Sequence, residues 1–111
     1  MDWKKFVKDA EDELKVYGKA LPGTLQGFAK MGDAAKSGTA LDLKTKELVA
    51  LGIAIRSQCE HCIAYHTRNL AGLDVTREEV AEVLAMCAYM GGGPAINFGA
   101  MALQAFDQFS E

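Results

Sequence analysis

The chain has 111 residues, half of them hydrophobic, with 15 acidic and 12 basic side chains and a formal net charge of −3. This length fits one domain over residues 1–111 and excludes two, and the apolar share exceeds what one small core hides, which indicates self-association. The charge balance excludes a nucleic-acid binder, because such proteins carry an uncompensated basic face.

Six helices are predicted in chain order from apolar residues that recur every three or four positions and from helix start and stop signals. Asp42 fits an N-cap, Thr76 with Glu79 fits a capping box, and Gly72 fits a C-terminal cap. The predicted helices cover about 2–19, 22–36, 43–57, 59–72, 76–90 and 94–109. The sequence therefore predicts an all-α fold, a bundle of about six helices.

Two segments allow another interpretation. The apolar run Leu48 to Ile55 contains several β-branched residues and is compatible with a buried strand, although the helix formers before it favour a helix. Val83 to Phe106 carries no charge over 24 residues and is long enough to span a bilayer. Gly91 to Pro94 interrupt it, so two short buried or interface helices are predicted, without a membrane span.

Cysteine usage points to redox or metal chemistry. Three cysteines are an odd number, and the start of the chain has no apolar stretch of the signal-peptide type. We therefore expect a cytoplasmic protein without a structural disulfide framework. The third cysteine, Cys87, lies mid-helix among apolar residues and is interpreted as a core residue.

The most informative segment is Cys59-Glu60-His61-Cys62-Ile63-Ala64-Tyr65-His66. Two cysteines three residues apart in the first turn of a helix lie within the Cα separation of about 4.4–6.8 Å that a disulfide needs. The free N–H groups and partial positive charge of a helix N-terminus favour thiolate over thiol. The pair is thus suited to thiol–disulfide exchange.

Two further side chains are placed to move protons. Cys62 and His66 are four residues apart, so they share one helix face, where an imidazole can take the thiol proton. Glu47 lies on the preceding helix, and its carboxylate reaches the pair if the two helices form a hairpin.

This spacing, Glu47-x11-Cys59-x2-Cys62-x3-His66, resembles the signature of the alkylhydroperoxidase D branch of the carboxymuconolactone decarboxylase family. The segments Leu43 to Leu48 and Thr76 to Val80 resemble the family as well, and the likeness in detail covers about residues 41–90. Alkylhydroperoxidase D itself is a longer chain with a duplicated helical arrangement. The lactone decarboxylases that give the family its name lack the cysteine pair, so decarboxylation is not expected here.

The resemblance implies a peroxidase. Cys62 would attack the peroxide, Cys59 would resolve the sulfenic acid as a disulfide, His66 and Glu47 would relay protons, and His61 would support the site. It also implies a lipoyl-bearing or thioredoxin-like protein as reductant, assembly of the short chain as a homotrimer or hexamer, and no cofactor and no bound metal.

Three alternatives remain open. Cys59, Cys62 and His66, with Glu47 or His61, supply ligands of the kinds zinc prefers, but they crowd one helical turn without a second ligand pair. A thioredoxin-like fold would use Leu48 to Ile55 as a strand, although the chain offers no others. The third is a helical oligomer that senses oxidants through the same dithiol without turnover.

Overall fold

The computed structural model describes all 111 residues and contains six α-helices and no strand. Each predicted helix is present with its ends within one residue of the prediction, so the all-α fold is confirmed. The strand alternatives for Leu48 to Ile55 are wrong, because this run lies inside the third helix. The helices are α1 (Trp3–Ala20), α2 (Pro22–Ser37), α3 (Leu43–Arg56), α4 (Glu60–Ala71), α5 (Arg77–Gly91) and α6 (Gly93–Phe109).

Side-chain caps explain where α3 and α5 begin. The Asp42 carboxylate accepts a hydrogen bond from the backbone N–H of Thr45 at 2.8 Å, and this contact holds the pKa of Asp42 below its ordinary value of 3.8. Thr76 and Glu79 form the predicted capping box at the start of α5, which satisfies two backbone donors that a helix otherwise leaves free.

The core lies where α4 packs between α1, α3 and α6. Trp3 at the start of α1 is completely buried, and its indole Nε1 donates to Gln104 Oε1 at 2.9 Å, which ties α1 to α6. The largest fully buried apolar side chains are Trp3, Leu51, Ile55, Ile63, Leu70 and Val80. Because α3 and α4 both contribute to this core, their mutual orientation is fixed by packing.

The second helix is the exception to this burial. It packs on α1, where Leu25 approaches Gly18 so closely that a Cβ there would lie 2.8 Å from Leu25 Cδ2. No residue of α2 is buried, and two of its apolar side chains stand in solvent, with Phe28 exposed to 70% and Met31 to 66%.

The uncharged stretch Val83 to Phe106 does not form one long helix. The uncharged stretch divides between α5 and α6 at Gly92, and none of the six helices combines the length and apolarity needed to cross a bilayer.

Candidate active site

The turn between α3 and α4 places the first cysteine. Gln58 adopts a left-handed conformation with φ of +55°, its N–H donates to Ile55 O at 3.1 Å, and the Cys59 N–H donates to Ala54 O at 3.1 Å. This pair of bonds is the Schellman arrangement that ends a helix. Cys59 therefore closes α3 and, as N-cap, also opens α4.

Cys59 and Cys62 form a disulfide at the N-terminus of α4, with their Cα atoms 5.2 Å apart. The Cys62 backbone N–H donates to Cys59 Sγ at 3.1 Å, so this sulfur serves as the side-chain cap of the helix. After reduction, the partial positive charge of the helix end favours thiolate over thiol in this pair. Both residues are half-buried, so neither is sealed in the core.

Glu47 meets His66 across the α3–α4 hairpin. Glu47 Oε2 lies 2.6 Å from His66 Nδ1, and Glu47 is only 5% exposed, whereas the His66 side chain is 31% exposed. An ionised carboxylate only accepts hydrogen bonds, so Nδ1 is the donor when Glu47 is ionised. Nε2 is then free to take a proton from a neighbouring group.

Asn69 completes the surroundings of Glu47 and was not predicted from the sequence. Its Nδ2 donates to Glu47 Oε1 at 3.4 Å, so both carboxylate oxygens have a partner within α4. Cys62, His66 and Asn69 follow one another by four and three residues, which puts them along one face of the helix. This spacing is the sequence signal for Asn69, because it puts Asn69 on the helix face that meets Glu47.

His61 lies apart from this network. It is exposed, and its ring stacks at a tilt on Phe6 of α1, with ring centroids 4.8 Å apart. Arg68 and Glu11 form an ion pair of 3.1 Å between the same two helices. His61 therefore borders the dithiol turn on the side of α1, while Glu47 and His66 form the polar pair on the side of α3.

The candidate zinc ligands are not arranged around a common site. Both cysteine sulfurs are joined to each other, Glu47 engages His66, and no group of three or more His, Cys, Asp and Glu side chains is arranged to hold a metal ion. The polar groups are a disulfide at the N-terminus of α4 and a hydrogen-bonded Glu47–His66 pair.

A separate cavity lies elsewhere on the protein. We call it the α3/α5 groove, an open apolar cleft of about 700 Å³ between the outer faces of α3 and α5. Neither cysteine of the disulfide nor Glu47 or His66 lines it. Cys87, expected in the core, is only half-buried and lines this groove, where burial raises the pKa of its thiol. The groove residues include Val49, Gly52, Ile53, Val83, Met86 and Met90.

Comparison with known families matches residues 22–105 to the carboxymuconolactone decarboxylase family. An uncharacterized protein of Cupriavidus necator is 33% identical over 106 residues, which cover 96% of this chain and 94% of that protein. An uncharacterized protein of Haemophilus influenzae is 34% identical over 105 residues, which cover 95% of this chain and 93% of that protein.

The solved structures include a close neighbour. The crystal structure of apo-lpg0406, a carboxymuconolactone decarboxylase family protein from Legionella pneumophila, is 42% identical to this chain with a TM-score of 0.94. The match covers 98% of this chain and 97% of that chain.

Proposed function

The chain belongs to the carboxymuconolactone decarboxylase family, and from this premise we propose that it is an alkylhydroperoxidase-like peroxidase, a thiol–disulfide oxidoreductase that reduces hydroperoxides. The observation that carries the proposal is the Cys59–Cys62 pair at the N-terminus of α4 with the His66–Glu47 pair beside it. The lactone decarboxylases of this family lack the cysteine pair, so its presence here favours the peroxidase branch.

The first step is attack on the peroxide by Cys62. In the reduced protein the Cys62 thiolate attacks one oxygen of the O–O bond, which breaks and releases the other oxygen as an alcohol. The sulfur is oxidised to a sulfenic acid and the peroxide is reduced. His66 Nε2 accepts the thiol proton before attack and returns it to the leaving alkoxide.

The second step restores a disulfide. Cys59, three residues away, attacks the sulfenic sulfur of Cys62, the S–S bond forms, and the hydroxyl leaves with a proton as water. A Cα separation of 5.2 Å already suits the bond. A dithiol reductant then exchanges with this disulfide, so one hydroperoxide and one dithiol yield an alcohol, water and the oxidised reductant.

Glu47 acts through His66. Buried and hydrogen-bonded to Nδ1, it holds one tautomer of the ring and stabilises the imidazolium that forms when Nε2 takes a proton. His61 supports the site from the side of α1. The electron donor in this proposal is a lipoyl-bearing or thioredoxin-like protein, and the compartment is the cytoplasm, where such reductants operate.

Turnover tests the proposal. Reduced protein in catalytic amount is mixed with an organic hydroperoxide and either dihydrolipoamide or a thioredoxin system, and peroxide loss is followed. The proposal predicts many turnovers per protein chain with at least one donor, and none for Cys62→Ser. Consumption of one equivalent and no more with every dithiol would identify a stoichiometric oxidant sensor instead.

A further inference from the structure

The buried carboxylate of Glu47 depends on protein donors for both of its oxygens. Glu47 is the only charged side chain that is buried in the chain, and no buried side-chain oxygen or nitrogen lacks a hydrogen-bond partner. Oε2 is met by His66 Nδ1 at 2.6 Å, and Oε1 is met by Asn69 Nδ2 at 3.4 Å. Since leaving a buried charged oxygen unpaired costs free energy, the Asn69 amide stabilises the carboxylate in this position.

The donor to the second oxygen of Glu47 is neutral. Neither a lysine nor an arginine forms an ion pair with this carboxylate. A cation at Oε1 would offset the negative charge that stabilises the His66 imidazolium when Nε2 takes a proton. An amide holds the same oxygen by a hydrogen bond and leaves the carboxylate its full charge. Asn69 therefore orients Glu47 without competing with His66.

The end of α4 holds the Asn69 backbone in place. The Gly72 N–H donates to Asn69 O at 3.1 Å, and the neighbouring Leu70 is completely buried. His66 and Asn69 are three residues apart, so they reach the two oxygens of one carboxylate from the same helix face. The terminal torsion of a glutamate is broad, and one contact alone leaves the carboxylate free to turn about it. Two contacts from one helix fix its plane.

We propose that Asn69 is a positioning residue that acts through Glu47 on His66. With Oε1 held by the amide, Glu47 keeps Oε2 on Nδ1, so the proton of the neutral imidazole stays on Nδ1 and Nε2 remains the base. Without the amide the carboxylate turns, and a fraction of the rings carries the proton on Nε2. That tautomer has no free Nε2 to take the Cys62 proton. The effect on rate rests on the proposed function, whereas the tautomer is a property of the site alone.

Nitrogen-15 NMR of histidine-labelled protein detects the tautomer without any turnover. The chain has two histidines, and the exposed His61 serves as the internal reference. In the wild type the neutral His66 ring shows the Nδ1–H form. Asn69→Leu, which keeps the approximate size of the side chain and removes the donor, shows a mixture of the two tautomers. Asn69→Gln, which keeps an amide on a longer side chain, returns the signals toward the wild type.

Single-turnover oxidation of the reduced protein by an organic hydroperoxide measures the effect on rate. Asn69→Leu lowers the rate constant about 2- to 10-fold, as expected for the loss of one hydrogen bond. In the Glu47→Gln background the same substitution causes little further loss, because Asn69 acts through the carboxylate that is already gone. The matched control is Asn97→Leu at an exposed position of α6, which leaves the rate and the His66 tautomer unchanged. Circular dichroism checks that all variants keep their helix content.

Two results would overturn the proposal. One is a wild-type His66 tautomer in Asn69→Leu. The other is an equal fold-loss of rate in the wild-type and Glu47→Gln backgrounds, which is the pattern of a residue that only stabilises α4. A wild-type protein that does not react with hydroperoxide would instead contradict the proposed function, and the tautomer measurement then decides the role of Asn69 by itself.

Discussion

Replacing Glu47 by Gln is the most informative change at the site. The substitution keeps the size of the side chain and removes its charge. The Glu47–His66 contact of 2.6 Å then changes from a charge-assisted hydrogen bond to a neutral one. The introduced amide oxygen still accepts from Nδ1, and its NH2 group can be met by Asn69 if that side chain turns its own amide. We therefore expect the fold to be retained.

The magnitude follows from the burial of the carboxylate. A hydrogen bond to a charged group contributes about 1.5–3 kcal/mol, and a neutral one about 1 kcal/mol. Because Glu47 is only 5% exposed, water does not replace the lost charge when His66 becomes protonated during reaction. The difference of about 0.5–2 kcal/mol in the transition state corresponds to a fall of about 2- to 30-fold in kcat/KM.

The assay is stopped-flow oxidation of the reduced protein by hydroperoxide at a series of pH values. Glu47→Gln slows the reaction and changes its pH–rate profile. The matched control is Glu13→Gln, which removes the same charge from an exposed position on α1 and leaves both unchanged. A variant at position 47 with the wild-type rate and profile would refute the role of this carboxylate in the relay.

Three further predictions concern the dithiol, the turn before it and an exposed ion pair. After one equivalent of hydroperoxide, the Cys59→Ser variant keeps a sulfenic acid at Cys62, whereas the Cys62→Ser variant forms none at Cys59. Dimedone labelling followed by mass spectrometry detects the sulfenic acid. The reverse labelling pattern would exchange the roles of the two cysteines. Gln58 has a left-handed backbone with φ of +55°, which costs a residue with a side chain about 1 kcal/mol. Gln58→Gly removes this cost, so the melting temperature should rise or stay level. A marked fall in the melting temperature would contradict the strain assigned to this residue. The Arg77 guanidinium holds the pKa of Asp107 below its ordinary 3.8, so the pair stabilises the fold above that pH and loses its contribution as pH falls through the lowered value. Wild type should therefore melt at a higher temperature than Arg77→Gln at neutral pH, and this difference should shrink in acid. A difference that persists in acid would show that the Arg77–Asp107 ion pair is not its cause.

Helix bounds and caps could be predicted from the sequence because they depend on local chemistry. Asp42 and Thr76 are short polar side chains placed before apolar runs, and each caps the helix that it was predicted to begin. The strand alternative failed at Leu48 to Ile55 because β-branched residues disfavour a helix only slightly, while the Asp42 cap and the helix formers before the run favour α3.

The backbone conformation of one turn and the contacts between helices could not be predicted from the sequence. Gln58 adopts the left-handed conformation that glycine usually occupies. Because the sequence has no glycine there, it did not predict the tight turn before Cys59. Asn69 gains its contact with Glu47 only when α3 and α4 pack together, and His61 meets Phe6 only because α1 crosses α4. The exposure of Phe28 and Met31 on α2 depends on how α2 packs, which the sequence does not show.

The central claim is that Cys59 and Cys62 are a working redox pair, and a thiol count before and after one equivalent of hydroperoxide tests it most directly. Mass spectrometry of the reduced protein should show the loss of two thiols and two mass units, with the bridge mapped to Cys59 and Cys62. Cys87, whose thiol pKa is raised by burial, should remain free and serves as an internal reference. A pair that stays reduced while the peroxide persists, or oxidation that falls on Cys87 instead, would contradict the peroxidase account.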